Sequence, residues 1–229
     1  MEIAIVILTV GLALVFDFLN GFHDAANAIA TVVVTKTLSP KQAVILAGVA
    51  NFVGYFIFGV AIATTIGTGI VDSSVVTVPI ILAALCGAIA WNILTWLFGL
   101  PTSSSHALVG ALVGSAIAAA GFGAVVFRGL LKVFLFIFIA PFLGMIGAIL
   151  FTILILRVFR KTDRNKATKY FKKLQLISAV SYSISHGTND AQKTMGIIAL
   201  VLFASGVNSI FVVDNWVALS CQAAIALGT

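Results

Sequence analysis

The residues of this chain best suited to chemistry are set in its most apolar surroundings. Gly21-Phe22-His23-Asp24-Ala25-Ala26-Asn27 places an imidazole, a carboxylate and a carboxamide between two hydrophobic runs. An ionisable side chain at bilayer depth costs from about 2.5 to over 10 kcal/mol, so it is retained where it faces a protein interior and acts there. Gly187-Thr188-Asn189-Asp190-Ala191-Gln192-Lys193 repeats the design. All three histidines, His23, His106 and His186, fall in or beside such polar stretches. A lone intramembrane histidine is usually a packing residue. Beside an aspartate, at a glycine, and repeated, it points to a site.

Pro101-Thr102-Ser103-Ser104-Ser105-His106 is the second device. Proline suits a first helical turn, and Ser or Thr caps it. The unpaired N–H groups and positive dipole end of such a helix attract an anion. Four consecutive hydroxyls add neutral donors able to replace the water shell of phosphate or sulfate. The plainer reading is a capped helix with serines bonded to the preceding turn. Asp24 and Asp190 would repel an anion unless cations accompany it. Asp, Asn and backbone carbonyls at a helix break are hard-oxygen ligands for Na⁺, or an aspartate carries a proton. Cation binding then makes anion binding favourable, which predicts symport. Lys193 either pairs with Asp190, helps hold the anion, or snorkels.

The elements that position these groups are membrane helices. Of 229 residues 61% are hydrophobic and 9% charged, with mean hydropathy +1.19. Soluble domains carry roughly 25% charged residues, so an all-α polytopic membrane protein is expected. Between Arg157 and Lys173 stand eight Lys/Arg and one acid. Between spans, such a run reads as a cytoplasmic loop rather than a nucleic-acid patch. Cys86 and Cys221 lack ligand spacing and read as buried, inert thiols. No cleavable signal peptide is expected, because Glu2 stands where a basic segment should be.

Residues 3–34 form an apolar run broken at the first motif. Residues 43–66 form a span, 67–74 a loop, 75–100 a span ending at the hydroxyl run, and 107–120 a small-residue helix. Gly110 and Gly114 give that helix a GxxxG packing face. Arg128 and Lys132 flank a loop before a span over 131–156. Residues 174–207, broken at 185–190, and 210–227 follow. Parity makes the two motif-bearing helices run in opposite directions, an inverted-topology repeat of the kind secondary transporters use. The expected organisation is a first repeat over 1–156, a basic loop over 157–173 and a second repeat over 174–229, with broken helices or a re-entrant hairpin. Carrying the separation of Asp24 and Asp190 over to Pro101 places a second hydroxyl motif near position 267. The second repeat is therefore expected to be completed on a longer chain or a separate polypeptide.

Residues 21–31 and 189–196, with Pro101 to Ala107, resemble the signatures of the inorganic phosphate transporter (PiT) family, in order and across the whole chain. The resemblance implies no enzyme and no cofactor. It implies Na⁺- or H⁺-coupled symport of inorganic phosphate, in some members as a metal complex, by a multi-pass protein of the plasma or inner membrane, often a homodimer. It assigns Thr102, Ser103, Ser104 and Ser105 to phosphate, with help from Gln192 and Thr194. Asp24, Asn27, Asn189 and Asp190 would line the cation path. Asp24, Asn27 and Asp190 would contact Na⁺ if sodium is coupled, and His23, His106, His186 and Lys193 would support. Many members have Asn where this chain has His23, which leaves the coupling ion open.

Two other classes compete. An intramembrane hydrolase could use Ser104 or Ser105 with a histidine, or two aspartates, but no HExxH or GxSxG appears. A divalent-metal carrier could use His23, Asp24, His186 and Asp190, which leaves the hydroxyl run without a role.

Overall fold

A computed structural model describes residues 3–57, 63 and 69–229. Among them the fold is all-α. It comprises α1 (Ile3–Val34), α2 (Pro40–Val53), α3 (Val78–Leu97), α4 (Ser104–Ala120), α5 (Phe127–Val158), α6 (Arg164–Ala204) and α7 (Asn215–Gly228). Helices α1, α3 and α5 are each long and apolar enough to cross a membrane, which takes about 20 residues. Large apolar side chains such as Trp91, Phe138 and Leu150 lie exposed on outer faces, as a lipid-facing surface requires.

Local sequence sets the helix ends. Ser39 and Gln42 form a reciprocal capping box at the start of α2, with Pro40 in its first turn. Asp163 accepts from the N–H groups of Asn165 and Lys166 at 3.0 and 3.2 Å to start α6. The start of α5 is tied to the preceding connection by Val126 N–H donating to Ile70 and Asp72 N–H donating to Ala124, both at 2.9 Å.

The core forms around the second half of α6, buried continuously from Thr194 to Leu202. Helices α1, α2 and α7 pack against α6, α3 packs on α1, and α4 packs on α3. Helices α1 and α6 cross antiparallel. Thr35 donates to Gln175 at 2.8 Å near one end, Asp24 faces His186 midway, and Asn20 donates to Asp190 beyond. Close backbone approach occurs twice over. A Cβ on Gly21 would strike the Ile225 carbonyl of α7, and one on Gly187 would strike the Asn51 carbonyl of α2. The next level repeats it: Gly228 meets the Phe18 carbonyl, and Gly54 the Ile184 carbonyl.

Several expectations need correction. Both acidic motifs lie inside continuous helices, not at breaks. The motif glycines admit neighbouring backbones rather than releasing carbonyls, so no backbone oxygen there is freed for a cation. The segment 157–173 is the end of α5, a short turn and the first turns of α6. Arg128 and Lys132 lie within α5. Gly110 and Gly114 meet nothing within 4 Å, so their GxxxG face is open among the described residues. Cys221 is buried, but Cys86 is exposed. The span expected over 43–66 is helical to Val53, with a 3-10 turn over Gly54–Phe56. Its remainder at 58–62 and 64–66, and residues 67–68 of the expected loop, lie outside the described residues.

Candidate functional site

Asp17, Asn20, Asp24 and Asn27 recur at three- and four-residue steps, so they share one face of α1. His186, Asp190 and Lys193 do the same on α6, and the antiparallel crossing sets the two faces together. Helix α4 delivers the hydroxyls. Ser103 is its N-cap, accepting from the His106 N–H at 3.4 Å, which places Ser104 and Ser105 in the first turn. Pro101 therefore precedes the cap instead of entering the helix.

Three helices meet at Asp190. Lys193 Nζ donates to Asp190 Oδ1 at 2.5 Å and also to Ser105 Oγ. Asn20 Nδ2 donates to Asp190 Oδ2 at 3.0 Å, while Asn20 Oδ1 accepts from Ser104 Oγ at 2.5 Å. The Asn20 amide is thereby used at both ends, and it joins the acidic motif of α6 to the hydroxyl turn of α4.

His186 joins the other acid. Its Nε2 lies 3.4 Å from Asp24 Oδ2 and 3.6 Å from Asp190 Oδ2. Its Nδ1 lies 3.3 Å from Asn51 Oδ1. Asn51 Nδ2 donates to Thr229 Oγ1 at 2.7 Å, so Oδ1 is the acceptor facing the ring and Nδ1 must carry a proton. Nε2 is then either a second N–H shared by the two carboxylates or a lone pair pointing with them at a cation. The three ligand atoms lie within 4.8 Å of one another. Asn27, at the exposed end of the face, donates to Asp24 Oδ1 at 3.1 Å.

The remaining expected residues lie apart from this cluster. His23 Nε2 is 2.9 Å from the Asn92 carbonyl of α3. His106 is exposed and borders a largely apolar cavity of about 480 Å³ with Phe127 and Phe134. Thr102 accepts from the Trp91 indole at 3.1 Å. Asn189 is exposed and donates to Ser185 at 3.3 Å along its own helix. Gln192 and Thr194 are buried in the core, Thr194 beside Asp17. Among the described residues no hydrogen bond joins Ser104 or Ser105 to a histidine, so the hydrolase reading lacks its dyad.

Sequence reasoning missed Asn20, Asn51, Gln222 and Tyr182. Gln222 of α7 donates to the Asn51 carbonyl, and Tyr182 stacks on His186 with ring centroids 6.4 Å apart. The three amides shared an available signal, since amides buried in apolar helices carry the same expense that singled out the aspartates, whereas Tyr182 is exposed and gave none.

Known proteins bear on this arrangement. A protein named a probable low-affinity inorganic phosphate transporter in Rhizobium meliloti (strain 1021) is 51% identical over 221 residues, covering 96% of this chain and 66% of that protein. One of the same name in Bacillus subtilis (strain 168) is 47% identical, over 97% of this chain and 68% of its own length. One in Mycobacterium bovis is 42% identical over 100% of this chain, which spans 55% of it. The chain thus spans from just over half to about two thirds of these relatives. A solved structure described as the sodium-dependent phosphate transporter matches 98% of this chain and 74% of its own, with TM-score 0.82 and 22% identity. That likeness establishes the shared fold. The model of the phosphate transporter family matches residues 20–229, which include both acidic motifs and the hydroxyl turn. The chain is a membrane protein and belongs to the phosphate transporter family.

Proposed function

We propose that this chain carries inorganic phosphate across the membrane by symport with a cation, Na⁺ or H⁺. The observation that carries the reading is Lys193, whose ammonium joins Asp190 to the Ser105 hydroxyl. A tetrahedral oxyanion arriving at the first turn of α4 meets the hydroxyls of Ser103, Ser104 and Ser105, the positive helix end and this ammonium. Asp24 and Asp190 stand next to that place, so anion and cation occupy adjoining sites. Filling one lowers the cost of filling the other.

The antiparallel α1–α6 crossing and the doubled glycine contacts support α1–α2 and α6–α7 as corresponding parts of two inverted repeats. A multi-pass protein of the plasma or inner membrane, working as a homodimer, completes the reading. The grouping of His186 with Asp24 and Asp190 favours one variant, in which the accompanying cation is divalent and enters as part of the cargo.

The test is labelled phosphate uptake into liposomes, with Na⁺ and pH gradients imposed separately and arsenate as competitor. Arsenate-sensitive accumulation under one gradient is expected. Failure to accumulate phosphate under either gradient, with or without divalent metal, would overturn the reading.

A further inference from the structure

Asp17 takes no part in the cluster just described, yet it is the most deeply buried acid of the group. It lies in the middle of α1 with no solvent exposure, and neither carboxyl oxygen has a hydrogen-bond partner among the described residues. Thr194 of α6 lies beside it, equally buried, with its hydroxyl near the Asp17 carboxyl but short of good hydrogen-bond geometry, and with no other partner among the described residues. Among the described residues the ionisable groups close enough to Asp17 to interact electrostatically are Asp190 and Lys193 from α6 and the Cys221 thiol from α7. Lys193 is committed elsewhere, to Asp190 and Ser105.

The charges do not balance if Asp17 is ionised. Among the described residues, buried Asp17 and the partly buried Asp24 and Asp190 stand against Lys193 and His186, whose ring is charged only when protonated. Lys193 pairs with Asp190, and Asp24 has His186, or a cation shared with it, at hand. Asp17 is the one left over, and an unpaired buried carboxylate costs several kcal/mol. A metal ion would cancel its charge only with a shell of oxygens around it. Among the described residues no hydrogen-bonding group holds either Asp17 oxygen, and the side-chain oxygen shown beside it is the Thr194 hydroxyl. A proton needs no shell, because a neutral carboxyl can donate to the Thr194 hydroxyl and accept from it.

We propose that Asp17 is a second cation site, set apart from the Asp24–His186–Asp190 cluster, and that its ligand is a proton carried in with phosphate. The O–H bond forms on the carboxylate when the site opens to one side and breaks when it opens to the other. One turn along α1 from Asp17 stands Asn20, which holds both Asp190 and Ser104. Loading of the proton is therefore felt where phosphate binds.

The proposal rests on the phosphate-symport reading, and two measurements separate their failures. Infrared spectroscopy of the full chain in membranes at neutral pH needs no transport. A neutral-carboxyl C=O band is expected in the wild type, lost in Asp17→Asn and shifted in Thr194→Val. Absence of the band from the wild type, or its full persistence in Asp17→Asn, overturns the proton site. In phosphate-loaded liposome assays, protons entering per phosphate fall in Asp17→Asn, and accumulation ceases to follow an imposed pH gradient. An unchanged proton-to-phosphate ratio overturns the proposal. A wild type that shows the band but moves no phosphate overturns the symport reading, and with it the link between this proton and phosphate.

Discussion

Asn20 and His186 hold matching places in the two acidic motifs, and each reaches across to the other motif's aspartate. Both precede the motif glycine and stand four residues before their own aspartate. Asn20 donates to Asp190 at 3.0 Å, and His186 Nε2 faces Asp24 at 3.4 Å. The exchange ties the acid on each helix to the register of the other helix, so a slip of α1 against α6 uncouples both acids at once.

Asn20→Ala removes an amide that serves buried Ser104 and partly buried Asp190. Asp190 loses one donor and Ser104 its acceptor, and a buried polar group left unpaired costs about 1–3 kcal/mol. We expect lower thermal stability in detergent together with weaker phosphate uptake. Because Asn20 and Ser104 touch, the Asn20→Ala and Ser104→Ala effects are expected to be non-additive, with a coupling of about 0.5–3 kcal/mol. Additive losses would show that the amide does not link α1 to α4.

Lys193→Met and Ser105→Ala separate ion pairing from anion contact. Lys193 is partly buried, and removing one member of such a pair costs roughly 3–5 kcal/mol when burial is complete, so the loss here is expected to be somewhat smaller. Ser105→Ala leaves the Lys193–Asp190 pair intact. It is expected to lower apparent phosphate affinity while leaving the unfolding temperature nearly unchanged. If Ser105→Ala transports with unaltered affinity, the hydroxyl turn of α4 is not part of the phosphate site.

Much of this site was legible because intramembrane polarity is expensive. Asp24, Asp190 and the hydroxyl turn announced themselves as charges and hydroxyls in oil, and Asp24, His186, Asp190, Lys193, Ser104 and Ser105 do come together. What could not be read is orientation. His23 stands next to Asp24 in sequence, yet consecutive residues of a helix diverge by about 100°, and His23 turns to α3 instead. The expected helix breaks failed for a related reason. Glycine marks both a break and a close approach, and only the neighbouring helix distinguishes them. Asn20 was overlooked because it lies one residue outside the glycine taken as the start of the motif.

Asp72 supplies a local test of pH dependence away from the buried helices. Its carboxylate accepts from the Ser74 N–H at 2.9 Å and the Ser74 hydroxyl at 2.8 Å, bonds that hold its carboxyl below the usual carboxylate range. Because the folded value is depressed, the stabilisation is present above the ordinary carboxylate range and lost as pH falls through the folded value. Amide exchange at Ser74 is therefore expected to be slowed at neutral pH and to lose that protection on acidification. In Asp72→Ala the protection should be absent throughout. As Asp72 is fully exposed, the global unfolding temperature should not follow this change.

The glycines of the two acidic motifs allow the packing argument to be tested without touching a charge. A methyl group at Gly21 would meet the Ile225 carbonyl and one at Gly187 the Asn51 carbonyl, both in the backbones of neighbouring helices that cannot swing aside. Overpacking of this kind costs about 1–3 kcal/mol, and more where backbones must separate. Opposing it, alanine gains about 0.5–1 kcal/mol over glycine in a helix interior, so the net sign depends on whether the neighbouring helix is really close. Gly110→Ala is the control, since Gly110 meets nothing within 4 Å and only the helix gain applies. Gly21→Ala and Gly187→Ala should lower the unfolding temperature in detergent, and Gly110→Ala should hold or raise it. Moving α1 from α7, or α6 from α2, also displaces the polar faces that carry Asp24 and Asp190, so phosphate uptake should fall in the first two variants and persist in the third. If all three behave alike, the glycines are not contact points, and a break in the helix at each motif becomes the better account.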